Sequence, residues 1–280
     1  DIWYGSMSAQ SSAGNYCLAS NAVFEAYTHK DGTPIDISTR PKRNGYSDEV
    51  EFGKDLIAWY ENLLKEDLDE RLEANIIMPS ALFVGLNDKT YKVYWPYSAY
   101  AGRQDEPLAF NSLWLEQYGV FCWRKFVNVG SAHTLAWQSP TDIPIIRYAD
   151  VLLCLAEAVN EQGRYGEASG YVNQVRKRAG VAELNTPGNP HVAVTSADEL
   201  RPRIRNEKKW ELACEEQLYC DELRWGTWQA DKFAAGNGLQ ETWGAPVYEY
   251  RWGGPAYLKW PIPSSEREKN PALVQNENWH

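Results

Sequence analysis

The side chains best suited to contact a ligand are tryptophan and tyrosine, which occur 13 and 17 times against seven phenylalanines. Both carry a flat apolar face and a polar edge, so their excess over phenylalanine favours surfaces that are partly wet. Two groups fall in irregular segments, where binding residues concentrate. The groups are Trp3, Tyr4 and Tyr16, and then Tyr91, Tyr94, Trp95, Tyr97 and Tyr100. We predict these residues as ligand-binding positions, with packing of the loops onto the protein body as the alternative.

Runs of carboxylates could supply the paired acids that glycosidases use. The runs are Glu66, Asp67, Asp69 and Glu70; Glu215 and Glu216; and Asp221 and Glu222. Neighbouring carboxylates on a helix point apart, so we expect solvated faces here rather than an active site. The four histidines lack HExxH spacing, no G-x-S-x-G motif occurs, and the five cysteines form no CxxC pair. The sequence therefore predicts no catalytic site, no metal site and no cofactor.

The charge of the chain argues against nucleic-acid binding, because a formal net charge of -10 repels a phosphate backbone. Its densest basic stretch, Arg40-Pro41-Lys42-Arg43, is short and is expected to be a solvated turn. The most apolar window, from Ile143 to Val159, contains Arg147, Asp150 and Glu157 and is too short to cross a bilayer. We therefore predict neither nucleic-acid binding nor a membrane-spanning helix.

Periodicity divides the chain into three zones. Residues 1–140 are rich in loops and aromatics, with one helix from about 49 to 65. Residues 141–235 form a helical scaffold, because two apolar stripes of helical period are each closed by a glycine, Gly163 and Gly180. The stripes are Tyr148, Leu152, Leu155 and Val159, and then Tyr165, Ala168, Val172, Val175 and Ala179. A short turn between two such helices predicts an antiparallel hairpin.

A third helix is predicted to begin beside Ser196, because Ser196 and Glu199 match a capping box. Pro202 would break an interior hydrogen bond, so the regular ladder is expected to start near Asp198 or Glu199. This helix should continue towards Tyr219. Residues 236–280 return to Gly, Pro and aromatics and are predicted to be an extended tail that packs on the helices.

Residues 143–158, in the helical zone, read IPIIRYADVLLCLAEA. This stretch resembles the signature helix of the SusD/RagB family of nutrient-binding lipoproteins. The motifs that follow are VNQVRKRAG at 172–180, IRNEKKWEL at 204–212, DELRW at 221–225, YLKWPIP at 257–263 and NPALVQN at 270–276. Agreement of these motifs in the order of the family is improbable by chance.

Upstream the resemblance is weaker but in register. Residues 26–35 (AYTHKDGTPI), 68–72 (LDERL) and 124–126 (RKF) stand where the family carries a D-G turn, a D-P-R-L element and an R-K-F strand. The sequence departs from the family at Glu70, where Pro is usual, and at Glu216 and Leu218, where Gly and Arg are usual. Two of these lie around the third helix, where local packing is expected to differ.

The resemblance implies a mainly α fold of tetratricopeptide-like antiparallel helix hairpins, a SusD-like α-α superhelix, with long irregular loops and short β-hairpins. It also implies a non-catalytic role, in which an outer-surface lipoprotein of the outer membrane captures oligosaccharides for a SusC-type TonB-dependent transporter. Sugars stack on aromatic faces, which suits the two aromatic groups. A peptide ligand, a protein-interaction scaffold and, less favoured, a glycoside hydrolase are the alternatives. Family members are about twice this long, so we expect an absent N-terminal half that carries the lipid anchor.

Overall fold

A computed structural model describes residues 18–84, 88, 90–92, 120–127, 130–131, 142, 144–215, 217–234 and 237–279. This part of the chain is mainly helical with short antiparallel strands, which confirms the predicted fold class. The helices are α1 (Asn21–Ala26), α2 (Glu49–Leu63), α3 (Glu70–Asn75), α4 (Tyr148–Asn160), α5 (Tyr165–Arg178), α6 (Ala197–Glu211), α7 (Gln217–Trp225), α8 (Trp228–Lys232) and α9 (Ser264–Lys269). The strands are β1 (Leu18–Ala19), β2 (Ile76–Ile77), β3 (Leu82–Val84), β4 (Thr90–Lys92), β5 (Phe121–Trp123), β6 (Gly238–Gln240) and β7 (Pro246–Glu249).

The first hydrophobic core forms where α2 packs against α1 and a small sheet in the order β1–β5–β2. The α2 helix begins after Asp48, whose side chain accepts the Val50 amide, and it buries Phe52, Leu56 and Tyr60. Phe24 of α1 stacks on Phe121 of β5 with ring centroids 5.1 Å apart. The predicted helix at 49–65 is therefore present and ends two residues early.

Two shorter helices, α1 and α3, also lie in the zone where one helix was predicted. Each has six residues, which is too short to show a helical period in the sequence. Residues 124–126, compared with an R-K-F strand, follow β5 instead of lying in it, and Phe126 adopts a positive φ of 65°. This part of the chain is thus more helical than its sequence pattern indicates.

The second core is the predicted helical hairpin, in which α4 and α5 pack together and α6 packs across both. Gly163 and Gly180 end the two helices with φ of 78° and 71°, a conformation that glycine adopts without steric cost. The α5 stripe is largely buried, as predicted. The α4 stripe is wrong at Tyr148 and Leu155, which are exposed, because Leu153 and Ala156 share the buried face with Leu152 and Val159.

The third helix, α6, begins at Ala197 and not at Asp198 or Glu199, so Pro202 lies inside it. Ser196 accepts the Glu199 amide at 3.2 Å, as a capping box requires, while the Glu199 carboxylate accepts from Thr195. The helix ends at Glu211, well before the predicted Tyr219, and α7 begins only at Gln217. The turn between α6 and α7 contains Cys214 with φ of 61°.

Three charged residues near the C-terminal end of α6 are buried. They are Glu207, Lys208 and Glu211, and each forms ion pairs with side chains from distant segments of the chain. The pairs are Glu207 with Arg71 and Arg176; Glu211 with Arg71, Arg147 and Arg178; and Lys208 with Asp150 and Asp221. Because Arg71 lies on α3 and Arg176 on α5, α6 joins the two cores through ion pairs.

The acidic runs are therefore not uniformly solvated. That prediction is wrong for Asp69, Glu215 and Asp221, all of which are buried. Asp69 accepts from Arg71 at 2.7 Å, and Glu215 accepts from Arg147 at 2.7 Å and from Lys125 at 2.5 Å. A buried carboxylate needs such a cationic partner to offset its lost hydration, and these partners lie outside the runs themselves, where the sequence pattern does not reveal them.

The C-terminal zone is more structured than an extended tail. It starts with the β6–β7 hairpin and includes a 3₁₀ turn, Pro255–Leu258, and the helix α9. Beyond residue 250 its side chains are mostly exposed, Trp260 to 87%. Side-chain hydrogen bonds fold this segment onto itself: Trp279 donates to the Lys259 carbonyl, and the Gln275 side chain both accepts from the Ile262 amide and donates to the Ile262 carbonyl. Packing of this tail on the helices therefore stays a prediction.

Candidate functional site

The predicted ligand-binding residues fall almost entirely outside the described part of the chain. Tyr91 is placed only through its backbone, which pairs with Phe83 in the β3–β4 hairpin. The residues outside the described ranges are Trp3, Tyr4, Tyr16, Tyr94, Trp95, Tyr97 and Tyr100. Their role as ligand contacts remains a prediction.

Another cleft lies within the described residues, between the loop that follows α1 and the turn of the β6–β7 hairpin. Its volume is about 850 Å³, which is in the range of ligand-binding clefts. Its lining residues are Glu25, Ile37, Ser38, Arg40, Lys42, Arg43, Asn44, Tyr46, Gln240, Trp243, Gly244, Ala245 and Pro246. We call this the hairpin cleft.

Two aromatic residues line the hairpin cleft and share one buried support. Tyr46 and Trp243 both pack on the ring of Phe52, with centroid distances of 5.4 Å in each case. The Tyr46 hydroxyl also donates to Asp55 at 2.9 Å. The indole N–H of Trp243 has no acceptor among the described residues, so ring packing positions that side chain. Tyr46 and Trp243 remain half-buried and are available to a ligand at the cleft.

The hairpin turn is held on the first core by polar contacts that span most of the chain. The buried Tyr60 hydroxyl donates to the Thr242 carbonyl at 2.5 Å, and Asn21 donates to the Gln240 side chain at 3.1 Å. Burial raises the pKa of Tyr60 well above its ordinary value, so the hydroxyl stays protonated and can donate. These contacts fix the wall that carries Trp243.

Arg40 forms the floor between the two walls. It is only 8% exposed, and it donates to Glu25 at 2.7 Å and to Asn21 at 3.0 Å. Its guanidinium lies directly under Gly244. The prediction that residues 40–43 form a solvated turn is therefore wrong for Arg40, because Glu25 and Asn21 supply the buried partners that a guanidinium requires.

A carboxyl group on the same turn is held in an unfavourable environment. Burial raises the pKa of Glu241 to about 7, and no cation of the described residues offsets the lost hydration. A raised pKa means that the folded state binds a proton more tightly than the unfolded state does. The contribution of Glu241 to stability therefore falls as the pH rises from the ordinary glutamate range to about 7.

We expect the backbone conformation at position 244 to require glycine. Gly244 has φ of +85°, and an added Cβ would lie 2.7 Å from Nη2 of Arg40. Gly244→Ala should lower the free energy of unfolding by about 1–2 kcal/mol through backbone strain alone. Urea unfolding measures the change.

Gly45→Ala is the matched control for that substitution. Gly45 lies on the neighbouring loop, and a Cβ there would meet no atom within 4 Å. Its free energy of unfolding should stay within about 0.5 kcal/mol of the parent. Equal stability of the two variants would contradict the left-handed backbone conformation of Gly244.

The other features of the described residues are weaker candidates for a ligand-binding site. A smaller acidic cleft of about 360 Å³ is lined by Lys30 and by carboxylates that include Glu66 and Asp67. Lys30 pairs with Asp67 and Glu70 at 3.1 and 2.8 Å there. Among the described residues, no group of three His, Cys, Asp or Glu side chains could hold a metal ion. Within the same ranges, every helix is too short or too polar to span a bilayer.

Sequence reasoning missed Tyr46 and Trp243 as candidates. Each stands beside a glycine, at Gly45 and Gly244, in the kind of irregular segment that served to select the other aromatics. Neither belongs to a cluster of aromatics as dense as that of residues 91–100. Their proximity arises from tertiary structure, across about 200 residues of sequence.

The sequence matches a known protein family along nearly its whole length, and individual members of it over about half. The sequence model of the SusD family matches residues 3–279. SusD-like protein P25 from Formosa agariphila is 32% identical over 133 residues, which are 48% of this chain and 23% of that protein. The starch-binding protein SusD of Bacteroides thetaiotaomicron is 29% identical over 160 residues, which are 56% of this chain and 25% of that protein.

Solved structures share the same fold. A SusD-like protein from Bacteroides fragilis superposes with a TM-score of 0.63 at 20% identity, covering 100% of this chain and 52% of its own. A SusD-like carbohydrate binding protein from the same organism gives a TM-score of 0.53 at 26% identity, covering 91% and 48%. The chain thus spans about half the length of these relatives. With the family match running from residue 3 to residue 279, this chain belongs to the SusD family.

Proposed function

We propose that the protein captures an oligosaccharide at the outer surface of the outer membrane without cleaving it. Its full-length form would be lipid-anchored and would deliver the glycan to a SusC-type TonB-dependent transporter. Membership of the SusD family supports this role, as do a relative named for starch binding and a solved neighbour described as carbohydrate binding. A peptide ligand and a protein-interaction scaffold are the alternatives, and hydrolysis is the least favoured.

The observation that carries the proposal is the pair of aromatic rings at the hairpin cleft. A sugar ring presents an apolar face that stacks on a flat side chain, while its hydroxyls need polar partners around the rim. Tyr46 and Trp243 supply the rings, and Asn44 and Gln240 line the same cleft with amide groups. The rings are fixed by Phe52 before any ligand arrives, so little conformational entropy is lost on binding.

Binding without cleavage is tested with a panel of polysaccharides. Retardation in an affinity gel without release of reducing ends supports capture. Release of reducing ends would instead support hydrolysis. Failure of every polysaccharide to bind or to be cleaved would leave the peptide and scaffold alternatives, which a peptide library and a pull-down of the transporter would then separate.

Trp243→Ala is expected to weaken glycan binding about tenfold, because it removes one of the two stacking faces. Isothermal titration with the retarded polysaccharide measures the change. Trp260→Ala is the control, since Trp260 is highly exposed on the C-terminal tail and does not line the cleft. A loss of affinity equal in both variants would contradict the assignment.

The two aromatic groups predicted from sequence provide a separate arm of the same experiment. Trp3→Ala and Trp95→Ala should weaken binding while leaving the thermal unfolding temperature unchanged, if these two residues contact the glycan. Parental affinity in both variants, with loss only in Trp243→Ala, would assign recognition to the hairpin cleft alone.

A further inference from the structure

The hairpin cleft is basic although the protein is acidic. Of the described residues that line it, three are cationic, Arg40, Lys42 and Arg43, and one is a carboxylate, Glu25. Glu25 is already paired with Arg40 at 2.7 Å, so these two charges largely cancel. The chain as a whole carries a formal net charge of -10. An excess of positive charge at one cleft of such a protein is a local feature that its composition does not predict.

Lys42 and Arg43 supply the uncancelled charge. Lys42 is exposed, and no ion pair within the described ranges involves it. Arg43 donates to the Tyr46 carbonyl at 2.9 Å, and its guanidinium lies 5.9 Å from the centre of the Phe52 ring. Neither contact neutralises the guanidinium, and both hold it next to the aromatic support of the cleft.

Arg43 and the two aromatic rings are organised by the same residue. Tyr46, Trp243 and Arg43 all pack on Phe52, which is buried. A ligand that stacks on the rings therefore has a guanidinium within reach of its substituents. Guanidinium groups bind sulfate and carboxylate oxygens through two parallel hydrogen bonds, and lysine adds a mobile point charge.

We propose that the hairpin cleft binds an anionic saccharide unit, with Tyr46 and Trp243 stacking on the sugar and Lys42 and Arg43 contacting its sulfate or carboxylate group. This inference rests on the proposed function, because it names the class of glycan that the same cleft would take. The buried Arg40–Glu25 pair shapes the floor and contributes little net charge. Carboxylated and sulfated sugars present the same chemistry to these cations.

The test compares polysaccharides that differ only in charge. Polygalacturonate is matched with its methyl ester, and a sulfated galactan with the same galactan after desulfation. Affinity is measured by isothermal titration at low and at high salt. We expect at least tenfold tighter binding of one charged member than of its neutral match at low salt, and a smaller ratio at high salt because exposed charges are screened. The series that shows the ratio identifies the anionic group.

Variants locate the effect within the cleft. Lys42→Gln combined with Arg43→Gln should reduce affinity for the charged polysaccharide about 5- to 20-fold and leave the neutral match unchanged. Lys42→Glu alone should reduce it at least as much as Lys42→Gln alone, and its exposed side chain makes no contact needed for folding. Lys177→Gln combined with Arg251→Gln removes the same net charge from exposed positions outside the cleft and should have no effect.

The outcomes separate the two proposals. Equal affinity for charged and neutral polysaccharides would overturn the anionic specificity and leave glycan capture standing. A charge preference that is undiminished in the variant combining Lys42→Gln with Arg43→Gln, or that falls equally in the control pair, would also overturn it, since the preference would then arise elsewhere. Failure of every member of both series to bind would overturn glycan capture itself, and this inference with it.

Discussion

Glu207→Ala is expected to lower the free energy of unfolding by about 3–5 kcal/mol, the cost of breaking a buried ion pair by removing one partner. Glu207 is 1% exposed and accepts from Arg71 at 2.7 Å and from Arg176 at 2.8 Å. Its loss leaves two buried guanidinium groups without the carboxylate between them. Chemical denaturation at neutral pH measures the change.

Glu161→Ala is the control for this prediction. Glu161 also binds an arginine, Arg201, at 2.6 Å, but both side chains are partly exposed to water. Exposed pairs contribute about 0–1 kcal/mol, so this variant should remain close to the parent. A loss below about 1 kcal/mol in Glu207→Ala would show that α6 does not connect the two cores through buried charge.

Lys208→Met is the second substitution for which we expect a large loss, again about 3–5 kcal/mol. Lys208 is fully buried, and its ammonium group donates to Asp221 at 2.6 Å and to the Cys154 sulfur at 3.2 Å. Asp150 is a further partner, with Oδ1 3.2 Å from the ammonium nitrogen. Methionine fills much of the same volume, so the loss reports on charge and not on a cavity.

The ionisation of Lys208 sets the pH range of this effect. Burial alone would lower its pKa, but the hydrogen bonds to Asp221 and Cys154 and their charges together more than compensate, and the pKa lies above the ordinary lysine value. A raised lysine pKa stabilises the folded state fully below the ordinary value. The parent should therefore lose this contribution only as the pH rises beyond that value, whereas the variant lacks it throughout.

The adjacent residue supplies the control. Lys209 faces Glu222 and Asp231 at 3.7 and 3.5 Å and is partly exposed. Lys209→Met should change the free energy of unfolding by less than about 1 kcal/mol. Comparable losses of unfolding free energy in the two variants would contradict the idea that the buried ion pairs of Lys208 stabilise the fold.

Local sequence signals predicted the scaffold well. The α4–α5 hairpin follows from a period of 3.6 residues and from two glycines with positive φ, which neighbouring residues alone determine. Short elements such as α1 and α3 carry too few residues to show a period. The start of α6 shows the limit of the same reasoning, because the Ser196 cap outweighs the interior position of Pro202.

Buried charge and the hairpin cleft could not be predicted in this way. Arg71 and Glu207 are separated by 136 positions, and nothing near either residue identifies its partner. Tyr46 and Trp243 line the same cleft, and both pack on the ring of Phe52. The eight aromatic positions chosen from sequence remain predictions, since their selection depended on local density, whereas a binding surface is defined by distances between segments.

The side-chain contact between Tyr60 and the backbone of Thr242 closes a loop of 182 residues, and that between Asn21 and Gln240 closes one of 219. Loops of this length form late in folding, since the entropy of bringing distant segments together is lost before any contact compensates for it. During synthesis, the wall of the cleft that carries Trp243 cannot form until the ribosome has released the chain beyond Pro246. A nascent chain that stops short of the hairpin would therefore contain both helical cores and yet be unable to hold a ligand between Tyr46 and Trp243.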